Sequence, residues 1–324
     1  MNDSEELQQE VVQAKLDGFS EAQIVLKFVQ HGHSKARVIE CISNSFDYVV
    51  EHNNRIALQL RRYEELLSIF ATLGKNDRTK LATQRRFPEK SFHSHYYVKN
   101  RPLVLRGVAR KMRASKKWTF EYFKEQLGDI EVKAAVGRNK YADPEGNLAK
   151  VQRRLPFREF IDLVQKTRGN DVYMVARNYN LLNMDLRKLL EDFHPLPPCI
   201  RSSPSPRRTH LWIGPEGTVT PFHYDRRNIL FFQIRGAKCF TIASPLAAPY
   251  IYNHYSVFSE VDPEQPDLER YPLFRNVKLL PIELNEGDAL FVPVGWWHHV
   301  RSLSPSISIA TSDFIYPNSF DLTE

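Results

Sequence analysis

The run GTVTPFHYDRRNILFFQIRGAKCF, residues 217–240, carries an H-x-D pair. His223 and Asp225 stand two apart, and on a strand that spacing turns both side chains to one face. Seventy-three residues beyond Asp225, the stretch PVGWWHHV (293–300) offers His298 or His299 between an apolar strand and the alternating SISIA. Two imidazoles and one carboxylate on one side of a barrel form a facial triad that leaves positions open on Fe(II), as an oxygen-activating iron site requires. An H-x-D by itself is common, and an inward histidine is more often a hydrogen-bonded core residue than a ligand. Lys238 strengthens the metal reading. It follows Asp225 by 13 residues, on the strand after the turn at Gly236, and a lysine inside an apolar barrel needs an anionic partner. A dicarboxylate co-substrate would supply one.

The last 116 residues are short apolar strands separated by Gly and Pro turns, which indicates a β-sandwich or barrel. From residue 86 to this region the texture is mixed. A short helix feeds the strand RPLVLRG, WTFEYFKEQLG reads as a helix, DIEVKAAVG as a strand, and LPFREFIDLVQK as a helix ahead of the strand VYMVARN. The loop PLPPCIRSSPSPRR follows. Residues 1–74 read as three or four helices: Ser20 and Gln23 form a capping box, Gly18 and Gly32 act as stops, and Ser34 opens a long periodic stretch, broken near Asn53–Asn54. No internal repeat and no heptad run is read anywhere along the sequence. The fold class is therefore α+β, with a helical segment over 1–75 and a second domain over 76–324.

Composition excludes other classes. At 324 residues, 42% apolar and 26% charged, the chain is too apolar for disorder and long enough for a sizeable core. The start, MNDSEELQQE, carries acids where a signal peptide carries basic residues, and the longest apolar runs fall far short of the roughly 20 residues of a membrane span. A cytoplasmic chain without membrane contact is expected. Cys41, Cys199 and Cys239 are odd in number and far apart, so any metal is held by histidine and carboxylate. Neither a dinucleotide-binding G-x-G-x-x-G nor a P-loop occurs. Charge is uneven: residues 75–117 hold 14 Lys or Arg against Asp77 and Glu89, while the whole chain is only +7. A solvated face is the ordinary reading of such a run; a nucleic-acid platform is the functional one.

The segments TPFHYD (220–225), FFQIRGAK (231–238) and GDALFVPVGWWHHV (287–300) together resemble the JmjC branch of the cupin superfamily, the Fe(II)- and 2-oxoglutarate-dependent dioxygenases. The flavour is that of the asparaginyl hydroxylase factor inhibiting hypoxia-inducible factor and of bacterial cupin-like relatives. The similarity covers residues 86–318 and leaves out the N-terminal helices. It implies a double-stranded β-helix (jelly-roll) core with flanking helices. It further implies a reaction in which O₂ and 2-oxoglutarate are consumed, succinate and CO₂ are released, and a substrate carbon is hydroxylated.

Carried over position by position, the resemblance makes His223, Asp225 and His298 the catalytic iron ligands, with His299 their neighbour. It sets Lys238 against the distal carboxylate of 2-oxoglutarate, joined by Thr220 and the hydroxyl of Tyr173. Trp297 would pack beside the iron, a position equally suited to barrel core. Two departures stand out. The family's asparagine four residues after the metal aspartate would fall on Ile229; Asn228 comes one place early, a shift that can reverse its face, and is carried here as a co-substrate contact. Asp313 stands where asparagine is frequent, near the C1 carboxylate, which it would repel. Phe222, Tyr224, Phe231, Phe232, Phe240, Trp296 and Trp297 suffice to keep a barrel dry, though such a stripe is more often plain core. His93 and His95 share strand-like spacing but no carboxylate partner, His254 lies in the Tyr-rich loop YIYNHYSVF, and none of the three is expected as a ligand. The insertion Pro245–Asn276 is the expected lid or substrate loop.

A protein or peptide side chain is the substrate expected first. The alternatives are a nucleic-acid (tRNA) base hydroxylase, drawn from the 75–117 stretch with Arg201, Arg207 and Arg208, and a non-catalytic cupin binding module. Histone demethylation ranks lower, because no chromatin-reader zinc pattern accompanies the domain. The N-terminal helices hold no candidate ligand, so assembly or substrate presentation is their expected role, with a homodimer the expected assembly.

Overall fold

A computed structural model describes residues 3–74, 81–253 and 257–320. Contacts divide the chain into Met1–Thr72 and Leu73–Glu324. The expected boundary at 75/76, and His254 with it, lie outside the described residues.

The first unit comprises α1 (Asp3–Leu16), α2 (Glu21–Gln30), α3 (Lys35–Ser43) and all but the last two residues of α4 (Ser45–Gly74). Leu7, Val11, Ile24, Phe28, Val38 and Ile42 from the first three form a small core. The capping box of Ser20 and Gln23 opens α2. Two expectations are corrected. The stretch after Ser34 is not one helix broken at Asn53–Asn54: it breaks at Asn44, which caps α3, and both asparagines lie inside the continuous α4. A seven-residue repeat does run along α4, with Phe46, Asn53, Leu60 and Leu67 seven apart and Ile56 and Tyr63 between them. Polar Asn53 and the off-stripe Leu58 and Ile69 obscure it. Phe46, Ile56, Leu60, Tyr63 and Leu67 are all exposed.

In the second unit the strands are β1 (Ala82–Gln84), β2 (Leu103–Leu105), β3 (Glu131–Val136), β4 (Gln152–Pro156), β5 (Val172–Tyr173), β6 (Thr209–Gly214) and β7 (Val219–Tyr224). They continue with β8 (Ile229–Arg235), β9 (Lys238–Ala243), β10 (Leu280–Leu284), β11 (Ala289–Val292), β12 (Trp297–Ser302) and β13 (Ser306–Thr311). A large sheet runs β1-β2-β11-β8-β13-β6 and a small one β10-β9-β12-β7. These are the two walls of a double-stranded β-helix. Between them pack Val104, Phe231, Leu290 and Ala310 from one wall and Phe240, Ile282 and Val300 from the other. A third sheet, β4-β3-β5, is backed by the helix Phe157–Lys166, whose Phe157, Phe160, Ile161 and Val164 are buried. A bridge from Met174 to Ile213 ties it to β6. Among the described residues no helix is long and apolar enough to cross a membrane.

Candidate active site

In β7 and β12, antiparallel neighbours, His223 stands opposite His298. The register then slips, because Val300 pairs with Thr220, so Pro221 and Phe222 of β7 face the single residue His299. A bulge suits Pro221, which has no N–H to give to a ladder. Its consequence is functional. Thr220 and His223, three apart, would face opposite sides of a regular strand, yet both line one cavity of about 630 Å³.

The Pro221 carbonyl lies 2.7 Å from His223 Nδ1, and the Trp296 carbonyl 3.0 Å from His298 Nδ1. A carbonyl only accepts, so both Nδ1 atoms carry the proton and both Nε2 lone pairs remain for a ligand. Asp225 Oδ2 lies 3.4 Å from His298 Nε2, and donor atoms of the three residues are all within 4.8 Å of one another. A lone pair facing a carboxylate at that distance calls for a positive charge between them, and two imidazoles with one carboxylate suit a divalent first-row ion. Burial, then the nearby His298, pushes the His223 pKa down to about 4, so its ring is neutral at pH 7. Burial works against the charge of Asp225, but its close polar contact with His298 and the nearby imidazoles of His223 and His210 outweigh it and hold its carboxyl below the ordinary value.

Lys238 is fully buried at the far end of the cavity wall formed by β9. Its Nζ donates to the Tyr173 hydroxyl at 2.9 Å and sits over the rings of Tyr173, Phe231 and Trp212. No carboxylate among the described residues pairs with it. A buried ammonium held only by a hydroxyl and ring faces suits an incoming carboxylate, which is the fit a dicarboxylate co-substrate demands. Behind Tyr173 lies Arg138, also fully buried, its guanidinium 5.5 Å from that ring and 2.9 Å from Glu145, which lines the cavity. Neither Arg138 nor Glu145 stood out in the sequence, since nothing local marks a pair whose partners include Asn170 and the Val219 carbonyl. His210 on β6 also lines the cavity, with a buried, unpartnered Nδ1.

Three expectations fail here. Asn228 does not face the cavity: its amide donates to Asn318 Oδ1 and accepts from the Val294 N–H, both at 2.9 Å. Asp313 does not approach the site either. It is buried beside Arg201 and Arg208, each at 3.5 Å, and accepts from the Ser205 N–H, so its charge is compensated within the fold. Trp297 lies on the outer face of β12 among Phe222, Ala243, Tyr271 and Phe274, which makes it core under the insertion. The insertion itself contributes Val257 and Phe258 to the cavity. His93 packs at a tilt against Tyr316 and His95 pairs with Ser94, away from any metal-donor cluster among the described residues.

Residues 88–320 match the cupin-like domain family. The chain is similar to Lysine-specific demethylase 8 of Xenopus tropicalis, 32% identical over 225 residues, 68% of this chain and 49% of that protein. Jumonji C domain-containing protein 5 of Drosophila melanogaster is 31% identical over 231 residues, 68% of this chain and 56% of that protein. The human Bifunctional peptidase and (3S)-lysyl hydroxylase JMJD7 is 27% identical over 261 residues, 71% of this chain and 82% of that protein. The chain thus spans about half the length of the first two. The first and third carry lysine rather than asparagine in their names, so the narrower likeness to the asparaginyl hydroxylase gains nothing from them. With the match running over most of its length and the JmjC domain named among its relatives, the chain belongs to the cupin-like family, in its JmjC branch.

Proposed function

We propose that the chain is an Fe(II)- and 2-oxoglutarate-dependent oxygenase that hydroxylates a protein or peptide side chain and releases succinate and CO₂. One observation carries the reading: a histidine, carboxylate and histidine set and a buried Lys238 without a carboxylate partner open on the same cavity. Iron and the 2-oxo acid, when bound, supply the oxidising chemistry for a substrate C–H bond. The chain's own residues bind, orient and exclude water. The Pro221 and Trp296 carbonyls fix the two imidazoles so that Nε2 faces inward, and Asp225 completes the metal set. Lys238, Tyr173 and Thr220 hold the distal carboxylate, and the walls of Phe231, Phe240 and Val300 keep out water, which strengthens each charged contact.

The human relative's name supports a protein lysine as the first substrate to try. The test is incubation of purified protein with Fe(II), 2-oxoglutarate and host-cell extract, followed by succinate assay and peptide mass spectrometry. A peptide gaining one oxygen with the parent but not with Asp225→Ala supports the reading. A peptide losing the mass of a methylene would assign demethylation, as the name of the Xenopus tropicalis relative suggests. Succinate no higher than with Asp225→Ala would overturn both. The nucleic-acid reading ranks lower because the basic stretch is divided: Arg106 pairs with Asp288, Lys117 with Asp192, and β2 is buried. The repeat on α4 supports a homodimer in which a second copy covers Phe46, Leu60 and Leu67; sedimentation that gives a monomer across micromolar concentrations would refute that.

A further inference from the structure

Strand alternation along β12 turns His298 and Val300 into the cavity and sends Trp297 and His299 to the outer face. Over His299 runs the 262–264 segment of the insertion, and donor atoms of Asp262, Glu264 and His299 lie within 4.8 Å of one another. His299 is only 2% exposed, and its Nδ1 is buried with no hydrogen-bond partner. The facing atom is Glu264 Oε1, 3.7 Å away and beyond hydrogen-bond reach. A bare ring nitrogen at such depth is uncommon in a packed fold.

Arg301, two residues along the same face, grips Glu264. Its Nε lies 3.0 Å from Oε1 and 2.7 Å from Oε2, and its Nη2 also donates to Oε2. The grip is centred on Oε2. The oxygen turned to His299 is the less committed one and keeps a lone pair toward the imidazole. Two donors bound to one tetrahedral ion at 2.0–2.2 Å stand roughly 3.4 Å apart, close to the gap between Nδ1 and Oε1. Asp262 adds a second, exposed carboxylate, so that with Arg301 counted the cluster keeps one net negative charge when His299 is neutral.

We propose that Asp262, Glu264 and His299 form a second metal site, separate from the triad, for a divalent ion that favours mixed imidazole and carboxylate donors, with Zn(II) the best match. Its role is to pin the insertion to the outer face of β12. The same insertion is already tied to β7, where the Ser259 N–H donates to the Phe222 carbonyl at 2.7 Å and the Tyr224 N–H to the Val257 carbonyl at 3.1 Å. The outer site would hold its other side, keeping Val257 and Phe258 in the cavity wall.

The experiment is Zn(II) titration of the metal-free full chain by calorimetry, with bound metal counted by mass spectrometry. Two equivalents are expected for the parent, one for His299→Gln, one for Asp225→Ala and none for the double variant. Asp262→Asn, an exposed change that leaves folding undisturbed, should weaken the outer equivalent by about tenfold or more. A parent binding one equivalent that survives His299→Gln and is lost in Asp225→Ala would overturn the outer site. One equivalent lost in His299→Gln and kept in Asp225→Ala would support the outer site and count against the triad as a metal site.

Discussion

Lys238→Met keeps the unbranched stem and removes only the ammonium, which isolates the charge. Two effects of different sign follow. Without co-substrate the buried ammonium has one hydroxyl, that of Tyr173, and ring faces 5.2–6.0 Å away, so the variant loses a hydrogen bond but is relieved of an uncompensated buried charge. Its stability should stay within about 1 kcal/mol of the parent. With co-substrate, a charge-assisted hydrogen bond of about 1.5–3 kcal/mol is gone, which raises the 2-oxoglutarate Kd roughly 12- to 150-fold. Thermal unfolding with Mn(II) in the triad reads both. At a ligand concentration near 100 times the parent Kd, the parent gains about 2.7 kcal/mol and the variant only about 0.3–1.3 kcal/mol. Equal ligand-induced stabilisation in both proteins, or a variant much less stable before any ligand is added, would refute the assignment of Lys238 to the co-substrate.

The metal-free protein should lose stability on acidification between pH 6.5 and about 4. His223 titrates near 6.5 when unfolded and near 4 when folded, so across that window the unfolded state binds more protons and stability rises with pH. The His223 share of that loss is on the order of 3 kcal/mol, beside contributions of the same sign from His210 and His299, whose values burial also lowers, so His223→Gln should reduce the slope in melts taken from pH 4 to 7; an unchanged slope would contradict the buried, neutral imidazole. Trp297→Ala should cost about 3–5 kcal/mol in urea unfolding yet leave 2-oxoglutarate affinity unaltered, because the ring packs outside the cavity. A marked loss of affinity would return Trp297 to the iron side. Transfer-RNA binding should be weak and nonspecific, falling steeply between about 50 and 200 mM salt; tight binding that stimulates 2-oxoglutarate turnover would promote the nucleic-acid reading.

What could be read from the sequence was what depends on local period. The spacing of two in His223 and Asp225, the turn at Gly236 ahead of Lys238, and the capping box at Ser20 are short-range facts, and the fold brings His223, Asp225 and Lys238 to one cavity with His298. Asn228 and Asp313 were misread for a common reason. Each is a buried polar group whose partners come from closure of the fold: Asn318 and Val294 for the one, Arg201 and Arg208 for the other. No count of positions from the metal aspartate reveals them. The bulge at Pro221 is of the same kind, since it exists only in the pairing of β7 with β12, and without it Thr220 would point away from His223.

Trp297 is different, because its placement was already implied by His298. Once one residue of a strand faces a metal, the period of two turns both of its neighbours away, so a tryptophan beside the ligand in sequence belongs to the opposite face in space. The same step applies to His299, which packs at 2% exposure against the carboxylates of the insertion. A histidine pair in a strand therefore supplies one donor to each side of the sheet. Whether the outer one is idle depends on what covers it, and here the cover is Asp262 and Glu264. The second donor set thus follows from the strand geometry that builds the first, with the path of the insertion as the one element that had to come from the fold.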